Sequence, residues 1–449
     1  MHRPIRALAT FVLLALTALP ARALTLADST ESEHWRLDNG LEVRTRHVPG
    51  TTGIAIALAF RAGSGYDPAG LEGLAELLAE LEFTTAAGDV PERTREEMTS
   101  LRPLGWEART TRELVRFTEI VTPAQLPGAL QQFATRMASP VVTDASLKAA
   151  VARVRRDAGA RYFGQPADVL YWRSDAIARG ADDPALLRLA SLPGLAKLNA
   201  KDASARLHTY YQPGNASLAL AGNLAGVDVR AVVQALFGKL AAAPAMPDSV
   251  SSRLSGQRRA TVWNGLDQAA GVVASAAPAL RDSLHPGFFL GLLVTGAALN
   301  TNWGAPTGGL AARFQYSLLD DPELVRFYPP IPPATTDPEV LTGALDEQFA
   351  VIGGQIVSTM ILGRVRNSVR WLVGGELPAD LMGRVRRDPS GLGTLASGAA
   401  TRALWHGDAF WADYLQRLDR LNLGHSNFYE WLADPGHQSV LLLQSAKAN

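Results

Sequence analysis

Residues 52–63, TGIAIALAFRAG, form an unbroken apolar run, and residues 70–83, GLEGLAELLAELEF, follow almost at once with leucines at 71, 74, 77, 78 and 81. A continuous apolar run of that length predicts a central strand of a sheet, buried on both faces. Leucines at helical spacing predict a helix with one apolar stripe that must be covered. The glutamates of this helix, Glu72, Glu76, Glu80 and Glu82, have no Lys or Arg among them. Like charges one turn apart repel by a few tenths of a kcal/mol, so their presence needs a reason.

The rest of the chain alternates in the same way. LEVRTRHV (41–48) alternates apolar and polar residues as a half-buried strand does. A loop with Gly88 and Pro91 precedes a predicted helix over ERTREEMTSL (92–101) and a strand pair, GWEARTTRE (105–113) and LVRFTEIV (114–121). Helices are predicted over 124–137, 144–161 and 166–180, then a loop at ADDP (181–184) and a strand in NASLALAGNL (215–224). Residues 239–258 are rich in Ala, Pro, Ser and Gly and predict a linker. The pattern then restarts: strands in 258–277, a helix over 285–300 entered through Pro286, helices over 337–354 and 360–375, and a last strand at 438–446. Two halves of roughly 210 residues, each strands followed by helices, suggest an internal duplication. The triplet Asn-Gly-Leu at Asn39 and Asn264 is compatible with it, though chance explains three letters.

MHRPIR, the apolar ALATFVLLALTALP and the small-residue site at Ala21–Ala23 together predict an export signal, with the mature chain beginning near Leu24. The 449 residues contain no cysteine, which excludes disulfides, thiolate metal sites and a lipidated N-terminal Cys. With 43 basic and 43 acidic side chains, the formal charge gives no reason to expect nucleic acid or an anionic membrane as partner. The expected location is the periplasm. The eight histidines, at 2, 34, 47, 208, 285, 406, 425 and 437, include no pair at i, i+3 or i, i+4. Neither a Gly-x-Ser-x-Gly elbow nor a phosphate-cradling loop is present.

Three stretches carry a family resemblance: residues 37–83, residues 105–140 and residues 201–224. They resemble the M16, or pitrilysin-like, zinc peptidases, which include insulin-degrading enzymes and mitochondrial processing peptidases. That family opens with a Leu-x-Asn-Gly-Leu strand, then a strand ending in Gly-Ser, then Gly-Leu-Ala-His-x-x-Glu-His on a helix. The resemblance implies an α+β fold of two homologous sandwich domains, each a mostly antiparallel sheet with helices packed on one face. The implied boundaries are 1–23 signal peptide, 24–238 N-terminal-type domain, 239–258 linker and 259–449 C-terminal-type domain.

In the family the two His bind zinc and the Glu activates water. In register, the first His falls on Glu76, the base on Ala79 and the second His on Glu80, and the third ligand falls at or near Asp157. Loss of a general base alone reduces rate by about 100-fold to 10,000-fold, and loss of the ligands removes the Lewis acid too. The helix holding Asp157 reads VARVRRDAGAR and carries Arg153, Arg155, Arg156 and Arg161. An ion-pair cluster of Glu76, Glu80, Arg153, Arg156 and Asp157 is therefore expected in place of the metal, with one of Arg153, Arg155 and Arg156 reaching a glutamate. A solvated face for Glu72, Glu76 and Glu80, or a carboxylate site for Mg²⁺ or Ca²⁺, remain alternatives. The family's substrate-holding Arg and Tyr compare with ARFQYSLLDDPELVRFYPP (312–330), where Leu319 and Arg326 fall at those positions. Arg313, Tyr316 and Tyr328 stand close by, which makes Arg313, Arg326 and Tyr328 the substrate-backbone candidates.

The resemblance implies a non-catalytic subunit that pairs with a zinc-bearing homologue around a shared peptide chamber, with no cofactor of its own and zinc only in the partner. A structural or assembly role, or a hydrolase with a rebuilt metal site, are the other readings.

Overall fold

The computed structural model describes residues 32–242, 254, 256–264, 266–300, 312–353, 365–370, 385, 388, 390–421 and 428–445. The expected signal peptide, most of the expected linker and much of the helix expected over 360–375 lie outside them.

The first half runs β1 (Ser32–Arg36), β2 (Glu42–His47), β3 (Ile54–Phe60), α1 (Leu74–Thr84), β4 (Ala86–Ala87), α2 (Arg95–Leu101), β5 (Trp106–Thr110) and β6 (Val115–Val121). It continues through α3 (Leu126–Ala138), β7 (Pro140–Val141), α4 (Asp144–Phe163), α5 (Pro166–Ala178), α6 (Asp183–Ser191), α7 (Ala200–Tyr210), β8 (Ala216–Gly222) and α8 (Val229–Phe237). The second half contains β9 (Arg258–Trp263), β10 (Ala270–Ala276), α9 (His285–Asn300), β11 (Arg313–Ser317), β12 (Asp321–Tyr328) and α10 (Glu339–Gly353). It ends with α11 (Ser390–Leu404), α12 (Gly407–Arg420), α13 (Phe428–Ala433) and β13 (Gln438–Ser445).

The first sheet has the order β1-β2-β8-β3-β6-β5 and the second β11-β12-β10-β13-β9. Read from β2 and from β9, they match: β2 with β9, β8 with β13, β3 with β10, β6 with β12 and β5 with β11. The one parallel pairing falls at the same place in each, β2 with β8 and β9 with β13, and the other pairings in both sheets are antiparallel. That agreement, topology and strand sense together, is the duplication suggested by the sequence. The Asn-Gly-Leu triplets do not share in it: Asn39 precedes β2, whereas Asn264 follows its counterpart β9.

β3 is buried on both faces, as its apolar run predicts. Strand alternation sends Ile54, Ile56, Leu58 and Phe60 into a core with α1, α3, α4, α7 and α8. It sends Ala55, Ala57 and Ala59 into a second core with Leu392, Leu395, Ala396 and Ala400 of α11. The second sheet is treated in the same way. Val273 packs with its own helices α9, α10 and α13, while Val272 packs with Val169, Leu170 and Ile177 of α5. Each sheet thus carries its own helices on one face, as expected, and on the other a helix lent by the opposite half. The sequence reading did not anticipate this exchange. It also missed α6, which begins inside the expected ADDP loop, and the helices α7, α8, α11, α12 and α13.

Candidate functional site: the helix at the family's metal position

Helix α1 is held at its start by Asp67, whose carboxylate accepts from Gly73 N and Ala75 N, both at 2.8 Å. Gly73 takes a positive φ of 84° there, which suits glycine. Burial pushes the Asp67 carboxyl up to about 7, offset in part by those two amides, with Glu76 and Glu72 adding repulsion. On the first turns Glu76 and Glu80 share a face and Ala79 points into the core at 3% exposure.

Each glutamate has its own environment. The Glu72 carboxylate accepts from the Gly70 amide at the helix entry, 3.3 Å. Glu76 is ion-paired and hydrogen-bonded to Arg161 of α4. Glu80 is buried and accepts from Arg95 Nε of α2 at 2.5 Å. Arg153 of α4 lies 3.7 Å from Glu80 and 3.6 Å from both Glu96 and Asp157. Glu82, 3% exposed, turns to the other side of the helix. There Arg136 of α3 donates to the backbone carbonyls of Glu82 and Thr85 at 3.1 and 2.6 Å. Burial pushes the Glu82 carboxyl up to about 8, with Arg136 only partly offsetting it.

The solvated face expected for Glu72, Glu76 and Glu80 therefore fails: Glu80 is buried and Glu76 is paired. The expected charge cluster exists with a different membership. Of the three named arginines only Arg153 approaches a glutamate, at ion-pair rather than hydrogen-bond distance, and its Nε has no hydrogen-bond partner. Arg155 and Arg156 are exposed, and Arg155 Nε donates to the Ser191 carbonyl at 2.7 Å. Position explains it: Arg155 sits nearly half a turn, and Arg156 about a quarter of a turn, off the Arg153–Asp157–Arg161 stripe of α4, which faces α1. The partners that sequence reading missed are Arg95, from the short helix α2, and Arg161, two turns beyond Arg153. For Arg161 the signal was present, since it lies at i+8 from Arg153.

This donor set does not fit a zinc centre. No histidine stands at 76 or 80, the base position is a methyl group in the core, and both carboxylates face guanidinium groups. Among the described residues no cluster of three or more His, Cys, Asp or Glu is arranged to hold a metal ion.

The substrate-backbone candidates are placed elsewhere. Arg326, 2% exposed, donates to Asp321 at 2.8 Å and to Asp175 of α5 at 3.1 Å, and lies over the Tyr171 ring at 4.2 Å. It is a strut between the halves, closed to a substrate in this conformation. Tyr328 donates to Gln315 at 3.1 Å, and Arg313 is exposed on edge strand β11. Arg326 and Tyr328 share the face of β12 that is turned to α5, and Arg313 is the cross-strand partner of Tyr328 on β11.

Around Arg326 the charges form a network across the halves. Arg179 bonds Asp175 at 3.3 Å and Glu323 at 2.7 Å. Arg116 of β6 reaches Asp320 at 3.3 Å and Thr401 at 3.1 Å, and Thr118 meets Ser397 at 2.8 Å. Burial would raise the Asp175 carboxyl, but Arg179 and Arg326 hold it below the usual range. The Asp321 carboxyl is raised, because there burial outweighs Arg326.

Comparison with known proteins agrees with this picture. Residues 42–162 match the model of the insulinase family, peptidase family M16. A protease from Helicobacter pylori superposes with a TM-score of 0.69 at 17% identity, covering 93% of this chain and 100% of that one. The periplasmic protease PqqL from Escherichia coli gives 0.66 at 16% identity over 94% of this chain, which spans 48% of the PqqL chain. A peptidase M16 inactive domain from Pseudomonas fluorescens gives 0.61 at 14% identity, covering 92% and 98%. No curated protein sequence matches the chain. The fold is that of the M16 peptidases, and the resemblance read from the sequence is borne out. Within that fold, Glu76, Ala79, Glu80 and Asp157 stand at the positions where the resemblance places the family's metal ligands and base.

Proposed function

We propose that this chain is the non-catalytic half of an exported M16-type peptidase, pairing with a zinc-bearing homologue that supplies the chemistry. One observation carries the reading: the helix face that holds zinc in the family is here bound by Arg161, Arg95 and Arg153. A site with guanidinium groups over its carboxylates repels a divalent cation, while the surrounding α+β shell is intact and able to form half of a chamber. The N-terminal apolar stretch supports export, and the match to a periplasmic protease is consistent with it.

The test is metal content and peptidase activity, alone and with the homologue. Alone, the purified chain should hold no stoichiometric zinc after dialysis and cleave no peptide library. Mixed with a co-expressed His-x-x-Glu-His homologue, it should raise the homologue's kcat/KM at least tenfold. About one equivalent of zinc, with chelator-sensitive cleavage by the chain alone, would sink the proposal. A stable complex without any activity gain would instead support the assembly role.

A further inference from the structure

The duplicated sheets match strand for strand except at one edge. In the first sheet β1 lies antiparallel on the outside of β2, from Ser32 opposite Arg46 to Arg36 opposite Glu42. In the second sheet the counterpart of β2 is β9, and among the described residues no strand covers it. The hydrogen bond from Val440 N to the Gln257 carbonyl, 2.7 Å, fixes the phase of the β9–β13 ladder. Residues 257, 259, 261 and 263 turn their backbone groups to β13. The N–H and C=O groups of Arg258, Ala260 and Val262 therefore point outward along an edge that no described strand covers.

Edges of this kind are usually blunted by charged side chains left in solvent. Here the two available charges are drawn away. Arg258 bonds Glu339 at 3.0 Å and the Gln438 carbonyl at 2.6 Å, and Arg259 bonds Asp183 at 3.0 Å. What remains on the α10 side of the strand is apolar: Ala260 is exposed and Val262 is 49% exposed. Val340, beside the Glu339 that holds Arg258, is 37% exposed.

We propose that β9 is a dimerisation edge, on which a second copy of this chain pairs antiparallel about a twofold axis through Ala260. The strand RRATVW is self-complementary in that register. Ala260 faces its own mate, Arg258 faces Val262 of the second copy, and Arg259 faces Thr261 of the second copy. No like charges are opposed, and every outward backbone group between 258 and 262 gains a partner. The two five-stranded sheets would join into one, an isologous contact. The first half shows that this fold accepts an antiparallel strand at the equivalent edge, since β1 occupies it. This contact is independent of the chamber-facing pairing proposed above.

The test uses the full mature chain alone. Sedimentation velocity over a micromolar concentration series should show a monomer–dimer equilibrium. Val262→Lys, which sets lysine against Arg258 twice per dimer, should weaken it at least tenfold while leaving circular dichroism unchanged. Ala260→Cys supplies the only thiol in the chain, with an expected Cα separation of about 5.5 Å across the axis, inside the disulfide range of about 4.4–6.8 Å. On mild oxidation it should give a covalent dimer, whereas Leu187→Cys on exposed α6 should not. A wild-type chain that stays monomeric throughout the series overturns the proposal, as does a dimer that Ala260→Cys fails to cross-link. Should Val262→Lys not fold, the cross-link decides.

Discussion

Glu82 is the one glutamate of α1 whose carboxylate has no cationic hydrogen-bond partner. Its Oε2 is buried without a hydrogen bond, beside the Arg136 guanidinium, which is committed to backbone carbonyls, and near the buried Tyr211 hydroxyl. With the folded pKa raised from 4.5 to about 8, the folded state keeps a proton that the unfolded state has already released between those values. Stability therefore falls as pH rises from about 4.5 to about 8 and is level above, by about 1.4 kcal/mol per unit. Glu82→Gln should remove that slope: close to wild type in Tm at pH 5, and several degrees more stable at pH 8.5. Parallel Tm–pH curves for the two proteins would show that the carboxyl is ionised in the fold throughout. The three glutamates of α1, with Glu72 just before it, were legible in the sequence. Their burial was not, because the groups that bury Glu82 arrive from α3, more than 50 residues on.

At the level of elements, α9 is tied to its neighbours by a polar chain through an otherwise apolar core. His285 Nδ1 lies 2.9 Å from the Tyr414 hydroxyl of α12, and Nε2 lies 3.1 Å from the Tyr316 hydroxyl of β11. Tyr316 donates onward to the Pro322 carbonyl at 3.2 Å, so it is free to accept from Nε2–H, and Tyr414 then donates to Nδ1. Every member is satisfied only with a neutral ring in the Nε2–H form. Burial, helped by Arg417, pushes the His285 pKa down to about 3, with Asp282 pulling weakly the other way. Since the folded pKa lies below the unfolded 6.5, the stability this group contributes is complete above 6.5 and is lost as pH falls toward 3. In ¹⁵N NMR spectra at pH 5, His285 should still show the neutral Nε2–H tautomer; an imidazolium signal there would contradict the chain. Of the elements with a strong period, β13 was legible to within one residue of its observed ends, β3 to within three and α1 to within four. Helix α11, SGLGTLASGAATRAL, was not. Its Gly, Ala and Ser give little amphipathic signal, and they are there to let it lie close on the Ala55, Ala57 and Ala59 face of β3, a partner more than 300 residues away.

At the scale of the whole molecule, the two halves are held by an apolar exchange and a charged seam. The exchange is α11 on the first sheet and α5 on the second; the seam runs through Arg116, Arg179 and Arg326 to Asp320, Asp321, Asp175 and Glu323. Arg326 lies at its most buried point and serves one acid from each half. A buried ion pair adds little net stability over a well-packed apolar group, but removal of one member strands the others. Arg326→Met keeps most of the side-chain volume and leaves Asp321, already the less well compensated acid, with only the longer 3.9 Å ion pair to Arg179. Asp175 retains Arg179. The single change should therefore lower stability by up to about 3–5 kcal/mol, the range for breaking a buried ion pair. Adding Asp321→Asn should return a good part of that loss, because it removes the stranded charge. Urea unfolding of the two variants and of Asp321→Asn alone gives the coupling energy directly. Raising salt from 0.1 to 1 M should act on the partly exposed Asp175 and Glu323 more than on Arg326, which is 2% exposed. A loss under about 1 kcal/mol for Arg326→Met, with no recovery in the double variant, would mean that the apolar exchange alone joins the halves. Arg326 would then be free to leave the seam for a substrate, the role that the family resemblance implies for its position.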